Sequence, residues 1–240
     1  REYYQRARAI QQQIRRKAPA VAEHRLNLAV THNNLGRVFF DQNDSAAALE
    51  SFGAARGLLE ELVADYPQEL NYRSSLGGIL NNQGMILEQL GRPEEAVAAY
   101  REAIEHQRFA QSHAPEVVRF GEFLGKHYRN LGRALRATGR PHEAAQAALD
   151  RRELCAGDPQ RLYGVAAELA LAAGQIGPQT GDPPAEQESA RQKYQDQAVA
   201  TLREAIEAGF TQLDVLQENR DLNSLRSHPE FAELIRQLSQ

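Results

Sequence analysis

Gly36, Gly84 and Gly132 recur at a constant 48-residue step, and each closes a short polar run: Asn33-Asn34-Leu35-Gly36, Asn81-Asn82-Gln83-Gly84 and Arg129-Asn130-Leu131-Gly132. The same step links Pro19, Pro67 and Pro115, then Leu28, Leu76 and Leu124, then Ala48, Ala96 and Ala144. A fixed period of this size marks a repeat architecture, in which no single unit can bury its own apolar face and neighbours must stack to do so. The period therefore predicts an all-α fold, an α-α superhelix of antiparallel helix hairpins. In such an array function resides in an extended surface rather than in an enclosed pocket.

The residue types agree. Ala, Leu, Glu, Gln and Arg dominate and Trp is absent, as expected of helices. Lys and Arg number 28 against 32 Asp and Glu, a net charge of −4, so the chain as a whole has no bias toward nucleic acid or membranes. The single cysteine, Cys155, excludes an internal disulfide and fits a reducing, cytoplasmic setting. No apolar run approaches the roughly 18 residues of a membrane span. The sequence begins at Arg1 without Met, inside what reads as half a repeat, and is expected to be an excised piece of a larger protein.

In chain order, residues 1–17 carry Tyr4, Ala7, Ile10 and Ile14 at helical spacing, the phase of Phe52, Ala55 and Leu58, and are read as the second helix of a truncated repeat. Repeat 1 spans 20–66, with Leu28, Leu35 and Phe39 on the inner face of its first helix and Asp44 or Ser45 capping the second. Repeat 2 spans 68–114 and turns at Gly91-Arg92-Pro93-Glu94-Glu95, which supplies a C-terminal Gly, an early Pro and first-turn acids. Repeat 3 spans 116–157 and turns at Gly139-Arg140-Pro141-His142-Glu143. Repeat 4, 159–208, is interrupted by 174–190, whose Gly, Pro, Gln and Glu content predicts a flexible insert. Residues 209–240 form a C-terminal cap, in which Ser227-His228-Pro229-Glu230 reads as a capping box opening the last helix.

Small residues at Gly36, Ala48 and Ala55 around Phe52, and at Gly84, Ala96 and Ala103 around Tyr100, resemble the tetratricopeptide pattern; the third repeat keeps Gly132 and Ala144 but departs at Ala148 and Arg151, which predicts looser packing there. The long step and the Asn-Asn-Leu-Gly motif resemble the extended repeats of kinesin light chains. Combined with Gly-Arg-Pro-x-Glu-Ala and the tail from Asp221 to Phe231, they also resemble the C-terminal arrays of bacterial serine/threonine kinases. The resemblance implies a protein–protein interaction module whose first helices line a concave face.

On that face the resemblance places Asn34, Asn82 and Asn130, with Asn33 and Asn81 beside them, as amides that bind the backbone of an extended peptide. One carboxamide both donates and accepts, so it can match any peptide unit. The competing reading makes these residues clamps between neighbouring helices. Lys126, Arg129, Arg133 and Arg136, spaced 3, 4 and 3 apart, share a helix face, and Arg37 holds the phase of Arg133. Such a stripe would attract an acidic or carboxylate group on a partner, or it is simply a solvated face.

Catalytic motifs fail. His142-Glu143-Ala144-Ala145-Gln146 lacks the second His of a zinc helix, and Gly121 to Lys126 lacks the spacing of a phosphate loop. His106 and His113 share a helix face with no third ligand, so no metal, cofactor or enzyme is expected. Two functions stand: a cytoplasmic, bacterial peptide-binding adaptor, or a structural arm that contacts an upstream domain or self-associates through its first helix.

Overall fold

A computed structural model describes residues 21–238 and the isolated positions 6, 9 and 13. The expectation for the helix at 1–17 lies outside the described residues. Every regular element among the described residues is helical: α1 (Ala22–Asp41), α2 (Ser45–Asp65), α3 (Leu70–Gln89), α4 (Pro93–His113), α5 (Val118–Ala137), α6 (Pro141–Arg152), α7 (Pro159–Gly174), α8 (Pro184–Glu207), α9 (Leu213–Glu218) and α10 (Pro229–Leu238), with 3-10 turns at Pro178–Thr180 and Arg220–Leu225. The chain divides into two compact units, Arg1–Asn130 and Leu131–Gln240, the division falling inside α5.

In the first unit α1 packs on α2, α2 on α3 and α3 on α4. The small-to-large register of the sequence sets this packing. A Cβ at Gly36 would lie 2.7 Å from the Phe52 ring, and one at Gly84 would lie 2.5 Å from the Tyr100 ring. Each glycine is the hole that its partner helix's aromatic fills. Leu35, Leu62, Leu76, Leu80 and Ile86 close the core around these pairs, each buried side chain contributing about 1.5–3 kcal/mol. Asp44 caps α2 by accepting from the Ala47 N–H at 3.1 Å. Asn43 and Gly91, which hold the same place in successive repeats, both end their helices at positive φ (59° and 71°). At the second turn Arg92 holds the N3 acid, Glu95, at 2.6 Å.

In the second unit the turn recurs at Gly139, φ 71°, with Arg140 paired to Glu143 at 2.6 Å. Helix α6 is only 12 residues long, against 21 for α2 and α4. No aromatic fills the space at Gly132, whose added Cβ would find its nearest atom 3.6 Å away, as expected from Ala148. Arg151 is nevertheless buried, because its guanidinium bonds Glu168 of α7 at 2.6 Å.

Two expectations need correction here. Only the front of the segment expected as a flexible insert, 174–190, is irregular, for α8 already begins at Pro184. Pro at the first helical position and the run Ala-Glu-Gln-Glu-Ser-Ala-Arg-Gln favour helix more than the Gly and Pro before them favour loop. The irregular part is tied down by Arg191 to the Ile176 carbonyl at 2.8 Å and Gln187 to the Asp182 carbonyl at 2.6 Å. The capping box also differs: α10 starts at Pro229, which makes His228 the cap residue, and Glu230 pairs with Arg203 at 2.7 Å. The tail packs onto α7 and α8 through buried Phe210, Leu222, Leu225 and Phe231, and Ser224 Oγ donates to the Ala170 carbonyl at 2.6 Å.

Candidate functional site

The first helices of the hairpins carry the candidate residues, and the register between successive repeats decides which of them meet. Asn82 Nδ2 on α3 donates to Asn33 Oδ1 on α1 at 3.2 Å. One hairpin on, Asn130 Nδ2 on α5 donates to Asn81 Oδ1 on α3 at 2.8 Å. Each bond joins partners 49 positions apart, so the amides interlock adjacent first helices. Asn81 is 1% exposed and Asn130 4%; these two sit in the helix interface, with the geometry of the clamp reading. Asn33, Asn34 and Asn82 are partly exposed.

Within the first unit α1, α3 and α5 border a groove of about 760 Å³. Asn33, Arg37, Asn81, Asn82 and Lys126 line it, whereas Asn34, Arg129 and Asn130 do not. Arg133 and Arg136 belong to the second unit; Arg133 is exposed, and burial lowers the pKa of the half-buried Arg136 guanidinium. The basic stripe of α5 is therefore not assembled in the groove; only Lys126 of it lies there.

The groove contains residues that the sequence reading did not single out. Arg119 reaches across to hydrogen-bond Asn71 Oδ1 on α3. Val30 and Phe123 line the groove with large apolar surfaces 49% and 45% exposed. His127 also lines it, only 2% exposed, with neither ring nitrogen hydrogen-bonded among the described residues. Burial, with Lys126 adding to it, pushes the His127 imidazole down to about 4, so the ring is neutral at ordinary pH. Their equivalents one repeat step earlier line the same groove, a relation that only the structure reveals. Arg119 stands one repeat step after Asn71, Phe123 after Ser75, Lys126 after Gly78 and His127 after Ile79, all groove-lining. The charged lining is Arg37, Arg119 and Lys126 against Asp41, a positive surface in a chain of net charge −4.

Two family models of the tetratricopeptide repeat match, over residues 78–108 and 126–150. The chain carries a tetratricopeptide repeat array. Across 99% of this chain and 89% of the other, it superposes on the crystal structure of BtubC (BKLC) from P. vanneervenii with a TM-score of 0.57 at 14% identity. At that identity the likeness is one of fold, and the fold class is the all-α tetratricopeptide solenoid. MamA protein (13% identity, 80% of this chain and 95% of that one) and the de novo designed helical repeat protein DHR64 (17%, 86% and 95%) give TM-scores of 0.28 and 0.26. No curated protein matches the array in sequence. Tetratricopeptide repeats are protein–protein interaction modules and are typically non-catalytic.

Several titratable groups away from the groove have local partners among the described residues. His142 Nε2 meets Asp182 Oδ2 at 2.8 Å and Nδ1 meets the Tyr194 hydroxyl at 3.2 Å, while His113 stacks on Phe109 at 4.0 Å. Cys155 is buried and donates to the Arg151 carbonyl at 3.2 Å. Among the described residues no three His, Cys, Asp or Glu are placed to hold a metal ion. No helix among them is long and apolar enough to cross a membrane.

Proposed function

We propose that the array binds an extended, acidic segment of a protein partner in the groove of the first unit and performs no chemistry of its own. The observation that carries this is the charge of the groove: Arg37, Arg119 and Lys126 face it from α1 and α5, with Asp41 as the acid beside them. Asn33 and Asn82 stand partly exposed on the same wall with hydrogen-bonding capacity beyond their mutual bond. Exposed Val30 and Phe123 give an extended ligand apolar surface to cover. The contribution of the cations is mostly to steering and specificity, so it is salt-dependent.

The test is an array of 12-residue peptides spanning net charge −4 to +4, probed with the wild-type chain and with an Arg37→Glu, Lys126→Glu variant. The reading requires binding that rises with peptide acidity, weakens with salt and disappears in a variant whose melting curve is unchanged. Binding blind to peptide charge, or equal in the variant, removes the acidic-ligand reading.

A further inference from the structure

Met85 is the one methionine of the 240-residue sequence, and it lies on α3 in the wall of the groove, half-buried. Its sulfur meets the amides that join the first helices. Asn81 Nδ2 donates to Met85 Sδ at 3.8 Å, one helical turn on, while Asn81 Oδ1 accepts from Asn130 Nδ2 at 2.8 Å. A thioether is a weak acceptor, so this chain of amides ends on a weak bond. Met85 also stands one repeat step after Arg37 of α1, which lines the same groove and is exposed. Residues one step apart on neighbouring first helices meet in this unit: Arg119 on α5 bonds Asn71 on α3 across that same step. By that register Arg37 and Met85 are neighbouring positions of the wall.

Resting on the groove reading above, we propose that Met85 is a reversible oxidation site whose sulfoxide weakens the groove for acidic segments. The oxidant class is a peroxide. A sulfur lone pair attacks one peroxide oxygen, and an S–O bond forms as the O–O bond breaks. The hydroxide that leaves takes the proton of the transferred oxygen and departs as water. Sulfur thus loses two electrons and the peroxide gains them; a thiol-dependent sulfoxide reductase restores the thioether. The product changes the groove in two ways. A flexible apolar side chain becomes polar, so the ligand loses apolar surface to cover. The new oxygen is also a strong acceptor with partial negative charge. It accepts from Asn81 Nδ2 in place of the sulfur, and it competes with the ligand's carboxylates for the Arg37 guanidinium. The other oxidisable sulfur, Cys155, is buried in the second unit, and burial raises its pKa, which disfavours the reactive thiolate.

The experiment treats the wild-type chain with hydrogen peroxide and locates the added oxygen by peptide mass spectrometry. Treated and untreated chains are then titrated with the fluorescently labelled acidic peptides of the array above. Met85→Leu and Met85→Gln variants run alongside, and every sample is checked by thermal melting. The expected result is one oxygen added at Met85 and affinity weakened about five-fold, the change that one exposed ion pair supports. Methionine sulfoxide reductase restores the affinity. Met85→Leu binds with an affinity that peroxide leaves unaltered, and Met85→Gln binds more weakly than wild type with no peroxide added. No oxygen at Met85, an oxidised chain that binds as before, or the same loss in treated Met85→Leu overturns the switch. So does an oxidised chain that has melted at the assay temperature, because the loss is then one of fold. In each of these cases acidic-peptide binding by the untreated chain keeps the groove reading intact. Absence of that binding overturns both.

Discussion

Asn130 Nδ2 donates to Asn81 Oδ1 at 2.8 Å, joining α5 to α3 where both residues are almost wholly buried. Removing one partner leaves the other almost wholly buried without that bond. Asn130→Ala is therefore expected to cost about 1–3 kcal/mol, read as a lower urea midpoint at unchanged slope. Asn34→Ala, at a partly exposed position that does not line the groove, should cost less than about 0.5 kcal/mol. Equal losses in the two variants would contradict the clamp.

The glycines of the repeat motif should not respond alike. Gly84→Ala drives a methyl into the Tyr100 ring at 2.5 Å, and that ring is fully buried and cannot retreat; the expected loss is about 1–3 kcal/mol. Gly132→Ala meets its nearest atom at 3.6 Å, so helix propensity prevails and the variant should gain up to about 1 kcal/mol. Thermal melts of the two variants decide, and a loss at Gly132 comparable to that at Gly84 would refute the packing argument.

These contrasts show how much was legible in the sequence. The holes at Gly36 and Gly84 and the aromatics Phe52 and Tyr100 stand at fixed spacing within one hairpin, so the hairpin could be read directly. The positive-φ turns at Gly91 and Gly139 were legible for the same local reason. The pairing of Asn82 with Asn33, and of Asn130 with Asn81, depends on how one hairpin is offset against the next, and the repeat period alone leaves that offset open. Arg151 read as a breach of the pattern because its partner Glu168 lies on the following helix. The early start of α8 was hidden by the Gly and Pro preceding it. In the groove, Arg37, Lys126 and the Asn pairs were legible through their motif. Arg119, Phe123 and His127 were not, since nothing in their own helix distinguishes them from ordinary surface or core.

His127 makes stability depend on pH in a definite direction. Its ring titrates at about 4 in the folded chain, against the ordinary 6.5 expected when unfolded. Between those values the unfolded chain binds a proton that the folded chain refuses, so stability is fully present above about pH 6.5 and is lost as pH falls toward 4. The loss is about 3 kcal/mol from this group. The stability difference between wild type and His127→Leu, measured by urea unfolding at pH 7 and pH 4.5, should shift toward the variant at the lower pH. An unchanged difference would show that the ring is not held neutral by burial.

The buried pair of Arg151 and Glu168, 2.6 Å apart, should be intolerant of half-removal. Arg151→Ala leaves an uncompensated carboxylate and is expected to cost about 3–5 kcal/mol, whereas Arg151→Met with Glu168→Leu should recover most of that loss. Denaturant unfolding of the single and double variants checks it; a double variant no better than the single would contradict the charge argument.

The central claim is that the groove of the first unit is the binding surface. The most direct measurement is amide chemical-shift mapping of the isotope-labelled chain during titration with the acidic peptides that bind best on the array. The account predicts shifts concentrated at Asn33, Arg37, Gly78, Asn82, Arg119 and Lys126, with the second unit unmoved and the changes abolished by Arg37→Glu/Lys126→Glu. Shifts confined to residues after Leu131, or unaffected by that charge reversal, would contradict it.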